Sequence, residues 1–117
     1  MGRLTTHVLD TAHGVPGRGI AIALHRVERG QRTALGNFTT NNDGRCDAPL
    51  LEGDAFGRGR YRLVFAAGEY FRAQGTSLPD PPFVDEVVLD FGVADETAHY
   101  HVPLLVSPWS YSTYRGS

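Results

Sequence analysis

The stretch Gly19-Ile20-Ala21-Ile22-Ala23-Leu24-His25-Arg26-Val27 decides the fold class. Ile20, Ile22 and Leu24 alternate with Ala21, Ala23 and His25. A period of two puts the branched residues on one face of a strand and the small or polar ones on the other. A helix would spread the same residues around its axis. Arg29-Gly30 ends the run as a turn, and Arg32 to Thr40 is expected to be the next strand. Asn41-Asn42-Asp43-Gly44 is the strongest turn signal in the chain, because Asp-Gly supplies the positive φ of a tight hairpin. Arg45 to Leu51 is then expected as a short strand.

The same punctuation continues outward. Leu4 to Leu9 is a strand, followed by a loop over His13-Gly14-Val15-Pro16-Gly17. Glu52 to Gly59 is polar and Gly-rich, hence a loop, and Arg60 to Ala66 alternates Tyr61, Leu63 and Phe65 against polar neighbours. Gly68 to Gly75 is the one plausible helix, about two turns long. Leu78-Pro79-Asp80-Pro81-Pro82 is an extended loop, since closely spaced prolines forbid helix and central strand. Val84 to Phe91 is a strand, Gly92 to Glu96 a turn, His99 to Val106 a long apolar strand and Trp109 to Tyr114 a last one. The expectation is an all-β, two-sheet β-sandwich of about eight strands with one short helix. Runs of unequal length and unlike loops favour a sandwich over a barrel. No repeat or linker divides residues 1–117, so a single domain is expected.

Composition narrows the function. The net charge is −2, which argues against a protein built to neutralise phosphates. All 11 basic residues are arginine, so no lysine is present for a Schiff base or a P-loop. The single cysteine, Cys46, excludes an internal disulfide and a multi-cysteine zinc site. Cys46 has no neighbouring histidine or lysine to activate it. No run approaches the roughly 20 apolar residues of a membrane span, and the start lacks an apolar signal region. A cytoplasmic protein is expected.

Several residues could carry chemistry. His99 and His101 lie two apart in a strand, so they share a face about 6.6 Å apart along the chain, with Tyr100 and Val102 on the other. His7 lies in the first strand, and His13 and His25 read as a turn residue and an exposed strand residue. His7 with His99 and His101 could make an open zinc site, but no carboxylate stands at a matching spacing. Arg45, at the exit of a sharp turn, could clamp a planar carbonyl, urea or carboxylate through two N–H groups. The serines near the C-terminus lack the G-x-S-x-G elbow of a hydrolase triad. Gly57-Arg58-Gly59-Arg60 reads as a solvated turn rather than a nucleic-acid patch.

The two ends of the chain carry a resemblance. Leu4-Thr5-Thr6-His7-Val8-Leu9-Asp10-Thr11-Ala12-His13-Gly14-Val15-Pro16 resembles the N-terminal signature of the transthyretin superfamily. His99 to Ser117 resembles its C-terminal signature, so the likeness spans Leu4 to Ser117. Within the superfamily the chain is most similar to the 5-hydroxyisourate hydrolases. His7 stands where the hormone carriers have lysine; Asp43-Gly44-Arg45, His101 and Tyr114-Arg115-Gly116-Ser117 match the hydrolase pattern. Gly17, where alanine is expected, is a minor departure in a loop.

The resemblance implies a homotetramer with sites in a central channel at the dimer–dimer interface. It implies hydrolysis of 5-hydroxyisourate, with water opening the N1–C6 amide to give 2-oxo-4-hydroxy-4-carboxy-5-ureidoimidazoline. His7 and His101 would serve water activation and proton transfer, and Arg45 the carbonyl or oxyanion. Ser117 would join them as a catalytic residue. Tyr114, Arg115 and Gly116 would help to hold the substrate, and His99 would stand behind the reacting groups. No metal or organic cofactor is implied. The alternative is a hormone-type small-molecule carrier without catalysis, using the same channel.

Overall fold

The computed structural model describes all 117 residues. One layer is a four-stranded antiparallel sheet in the order β5-β4-β7-β8. It comprises β4 (Ala21–Glu28), β5 (Gln31–Thr39), β7 (Gly59–Ala66) and β8 (Glu86–Val93). The alternation read in the sequence sets its inner face: Ile22, Leu24, Tyr61, Leu63, Phe65, Val87 and Leu89 are buried. Removing a fully buried leucine such as Leu24 or Leu63 to alanine would cost about 2–5 kcal/mol.

The second layer is assembled from β1 (Arg3–Thr5), β2 (Val8–Asp10), β3 (Val15–Pro16), β6 (Leu51–Glu52), β9 (His99–His101), β10 (Leu104–Val106) and β11 (Tyr111–Ser112). Hydrogen bonding divides them into β6-β1-β9 and β11-β10-β2-β3. The two groups are halves of one bent sheet. Arg3 pairs with His99 and Thr5 with His101, in parallel. Leu104 then pairs with Val8 and Val106 with Asp10, also in parallel and with no change of register. Between them, Val102 N–H donates to the Thr5 carbonyl and Leu104 N–H to the His7 carbonyl, both at 2.9 Å. A helix, α1 (Ala67–Ala73), follows β7.

The architecture is the expected all-β sandwich with one short helix, but several runs differ from the sequence reading. The expected strands Leu4–Leu9 and His99–Val106 are each broken in two. The Thr6 hydroxyl donates to the Val102 carbonyl at 2.7 Å, the acceptor that the His7 N–H would use in a continuous ladder. Arg45–Leu51 is not a continuous strand: Arg45 makes one isolated bridge, to His7, and regular pairing begins only at Leu51. The last strand shrinks to Tyr111–Ser112, β8 lies two residues later than read, and α1 stops before Gly75, whose φ is +84°. Asn41–Gly44 forms a turn but no hairpin, because the chain leaving it pairs with the other layer.

The core is one cluster of 21 buried apolar residues between the layers. One carboxylate joins it. Asp10, 1% exposed, accepts the N–H groups of Ala12 and His13 on Oδ1, and the His13 ring and Tyr70 hydroxyl on Oδ2. Four donors satisfy a buried charge that would otherwise be costly.

Candidate active site

Strand alternation builds the site. In residues 4–10 Leu4, Thr6, Val8 and Asp10 face the core, so Arg3, Thr5, His7 and Leu9 face outward. In β9 Tyr100 is buried and His99 and His101 are half-buried on the outer side. Parallel pairing sets Thr5 opposite His101 and Arg3 opposite His99. The expected shared face of the two histidines is therefore present, and β1 adds polar residues beside them.

Arg45 reaches this face through its turn. The Asn41 carboxamide accepts N–H bonds from Asp43 and Arg45, and the Gly44 N–H donates to the Asn41 carbonyl. Gly44 has φ +75°, and a Cβ there would collide with the Val8 carbonyl. Glycine is thus required twice over, for the backbone conformation and for the close approach. Val8 N–H donates to the Gly44 carbonyl at 2.7 Å, which ties the turn to β2. The C-terminus arrives by a reciprocal pair: His101 N–H donates to the Gly116 carbonyl and Gly116 N–H to the His101 carbonyl.

The result is an open cleft of about 470 Å³. It is lined by Arg3, Thr5, Thr6, the segment from Arg45 to Pro49, His99, His101 and Ser117. The structure thus brings together Arg45, His101 and Ser117 of the expected set. His7 flanks the cleft through its bridge to Arg45. Gly116 packs against the His101 ring, with only 3.3 Å between an added Cβ and its Cδ2. Tyr114 and Arg115 are not part of the cleft lining. Tyr114 is exposed, and Arg115 lays its guanidinium over the Tyr100 ring at 4.3 Å and donates to the His99 carbonyl at 3.3 Å. His13 and His25 lie outside the cleft.

Hydrogen bonds fix the imidazoles. His7 Nε2 lies 2.9 Å from the Asp43 carbonyl, which can only accept. Nε2 therefore carries the proton, and neutral His7 keeps its lone pair on Nδ1. The Thr5 hydroxyl lies 2.8 Å from both His99 Nε2 and His101 Nδ1. Burial holds the His7 pKa below its usual value, helped by Arg45. His101 is lowered by burial, then by Arg45, His7 and His99, and His99 by burial, Arg3 and Arg115. The site thus holds neutral imidazoles at neutral pH. Burial and Asp47 push the Cys46 thiol up, away from nucleophilic use. None of the three ion pairs involves Arg45, so its guanidinium is free to meet a carbonyl or anion. No three His, Cys, Asp or Glu side chains converge as a metal-ligand set.

Thr5 and Arg3 were not among the expected site residues. Their place follows from strand parity with His7, but a lone threonine or arginine in a strand carries no chemical signature of its own.

Residues 4–116 match the model of the HIUase/Transthyretin family. The chain belongs to that family. A family relative from Ralstonia nicotianae, a 5-hydroxyisourate hydrolase, is 65% identical over 117 residues, covering 100% of both chains. The solved 5-hydroxyisourate hydrolase of Klebsiella pneumoniae superposes with a TM-score of 0.81 at 33% identity, covering 100% of both. Sea bream transthyretin, solved in complex with thyroxine, gives 0.86 at 27% identity, covering 97% of this chain and 94% of that one. Backbone likeness therefore fits both branches of the family about equally, and side chains must separate them.

Proposed function

We propose that the protein is a 5-hydroxyisourate hydrolase, acting on the N1–C6 amide to give 2-oxo-4-hydroxy-4-carboxy-5-ureidoimidazoline. The observation that carries this reading is the convergence of neutral His101, unpaired Arg45 and Ser117 in one cleft, with His7 at its edge. The 65% identity to a relative of that name supports it. An apolar carrier pocket would need no such set, and only 2 of the 11 cleft-lining residues are hydrophobic.

The cleft supplies what amide opening needs. His7, with Nε2–H held by the Asp43 carbonyl, offers Nδ1 as base to the attacking water. Arg45 meets the oxyanion that develops at C6; losing such a donor typically costs about 10²–10³ in rate. His101, with Nε2 free of protein partners, passes a proton to the departing N1 as its Nδ1 recovers one across the hydrogen bond to Thr5, and His7 releases the proton of the attacking water to solvent. Ser117 fixes the water or the ring beside His101. The cleft is open on the protomer, and the proposed homotetramer would close it at the dimer–dimer interface. Tyr114 and Arg115 would reach substrate only within that assembly. The whole chain, residues 1–117, acts as one domain. No helix is long and apolar enough to cross a membrane, and we place the enzyme in the cytoplasm.

The test is optical. 5-Hydroxyisourate is generated from urate with urate oxidase, and loss of its ultraviolet absorbance is followed with and without the protein. Faster loss, dependent on protein concentration, is expected. Loss at the uncatalysed rate from folded tetramer, together with tight binding of a flat aromatic hormone, would favour a carrier instead.

A further inference from the structure

Thr5 holds an unusual position. Its single hydroxyl lies 2.8 Å from Nε2 of His99 and 2.8 Å from Nδ1 of His101, and no other protein partner is in reach. The two rings stand 6.3 Å apart, inclined at 60°, too far to bond each other directly. The hydroxyl is the one group that connects them. It has one proton to give and lone pairs to receive with.

We infer that Thr5 is a positioning residue that locks His99 and His101 into one shared tautomer and makes them a proton wire into the cleft. Two arrangements satisfy every partner. In the first, His99 Nε2–H donates to Thr5, whose hydroxyl donates to His101 Nδ1; both neutral rings then carry their proton on Nε2. In the second the bonds reverse, and both carry it on Nδ1. If the hydroxyl instead accepted from both rings, its own proton would have no acceptor within the protein.

The wire moves protons without net change. When His101 gives its Nε2 proton to a leaving group, its Nδ1 takes the Thr5 proton. Thr5 takes the proton of His99 Nε2, and His99 Nδ1 takes one from water at the cleft mouth. One proton enters at His99, one leaves at His101, and both rings switch tautomer together. Reversal returns the site to its starting state. The charged or titratable groups facing this pair are Arg3 on β1, Arg45 and Asp47 beyond the turn, Arg115 on the tail, and His7. The cations disfavour a resting imidazolium, so a wire that passes charge through without storing it suits the site.

The kinetic consequence rests on the hydrolase reading; the tautomer pairing stands without it. The experiment therefore has two readouts. Nitrogen-15 NMR of histidine-labelled full-length protein, at a pH where both rings are neutral, should show His99 and His101 in the same tautomer or with equal tautomer populations. Opposite tautomers would overturn the inference, whatever the enzyme does. Kinetics then compare Thr5→Val with Thr5→Ser on 5-hydroxyisourate. Thr5→Val should lower kcat about 10-fold or more with KM changed less than about twofold, and Thr5→Ser should recover most of it. The solvent-isotope dependence should report several moving protons in the parent and fewer in Thr5→Val. An active parent whose kcat and isotope dependence survive Thr5→Val contradicts the wire. A parent without turnover contradicts the hydrolase reading alone, and should Thr5→Val not fold, the tautomers of the parent still decide.

Discussion

His7 and Arg45 face each other across a single antiparallel bridge, where the turn after β5 meets the residues between β1 and β2 at the cleft. The contact sets both the reach of the guanidinium and the charge felt by the imidazole. Arg45 lowers the His7 pKa, second only to burial, and also lowers that of His101. Replacing Arg45 with alanine should therefore do two separable things. It should cut kcat/KM by about 10²–10³ through loss of the oxyanion donor. It should also move the acid limb of the remaining activity upward, because removing a cation raises an imidazole pKa. Arg45→Lys, which keeps the charge but not the fork, should restore the pH profile more than the rate. A pH–rate series on the three proteins checks this.

The parent pH profile has a definite sign. His7 and His101 both lie below the usual histidine value of 6.5, chiefly through burial. Their neutral forms persist to lower pH than in a free peptide. Activity should hold on acidification past 6.5 and fall only beneath it. Stability should also fall in that window, because the unfolded chain takes up protons on these histidines before the folded one does. An acid limb above 6.5 in kcat/KM would contradict the assignment.

Gly44 is the hinge of the arginine turn. Gly44→Ala forces a left-handed alanine, costing about 1–2 kcal/mol, and drives its methyl at the Val8 carbonyl. The variant should melt earlier and lose turnover even where it remains folded, because Arg45 and the Asp43 carbonyl that orients His7 both ride on this turn. Calorimetry and initial rates measured on the same preparation separate the two effects.

Asp10 gives a contrasting case, a polar network that supports the fold and stays out of the chemistry. Burial opposes its charge, yet the bonds from His13 and Tyr70 win and hold its carboxyl below the usual range. Burial and Asp10 together push the Tyr70 hydroxyl up, so it remains a donor. Tyr70→Phe should cost about 1.5–3 kcal/mol in denaturant unfolding, the range for a hydrogen bond to a charged group. Turnover per folded molecule should be unchanged, since neither residue lines the cleft.

The sandwich was legible wherever one face of a strand is buried, because alternation then reports burial directly. Ile20, Ile22 and Leu24 are of this kind, as are Tyr61, Leu63 and Phe65. The broken strands were not legible as breaks. Register is unchanged across Thr6-His7 and Val102-Pro103, so the pattern reads through a gap made by one side-chain bond to the Val102 carbonyl. Arg45–Leu51 misled because turn chemistry predicts a hairpin but cannot say that the outgoing chain crosses to the other sheet. Gly17, read as a minor loop position, is buried against Val8, with an added Cβ only 2.6 Å from a Val8 methyl. Within the site, His7, Arg45 and His101 announced themselves by residue type. Thr5 did not, since its importance lies in which two rings its hydroxyl touches.

The most direct test of the account is the decay of freshly generated 5-hydroxyisourate in the presence of the parent and of folded His7→Ala, Arg45→Ala and His101→Ala. The account predicts rapid protein-dependent loss with the parent and rates near the uncatalysed decay with each variant. Parent-like rates from all three variants would contradict it, placing the hydrolysis somewhere other than this cleft.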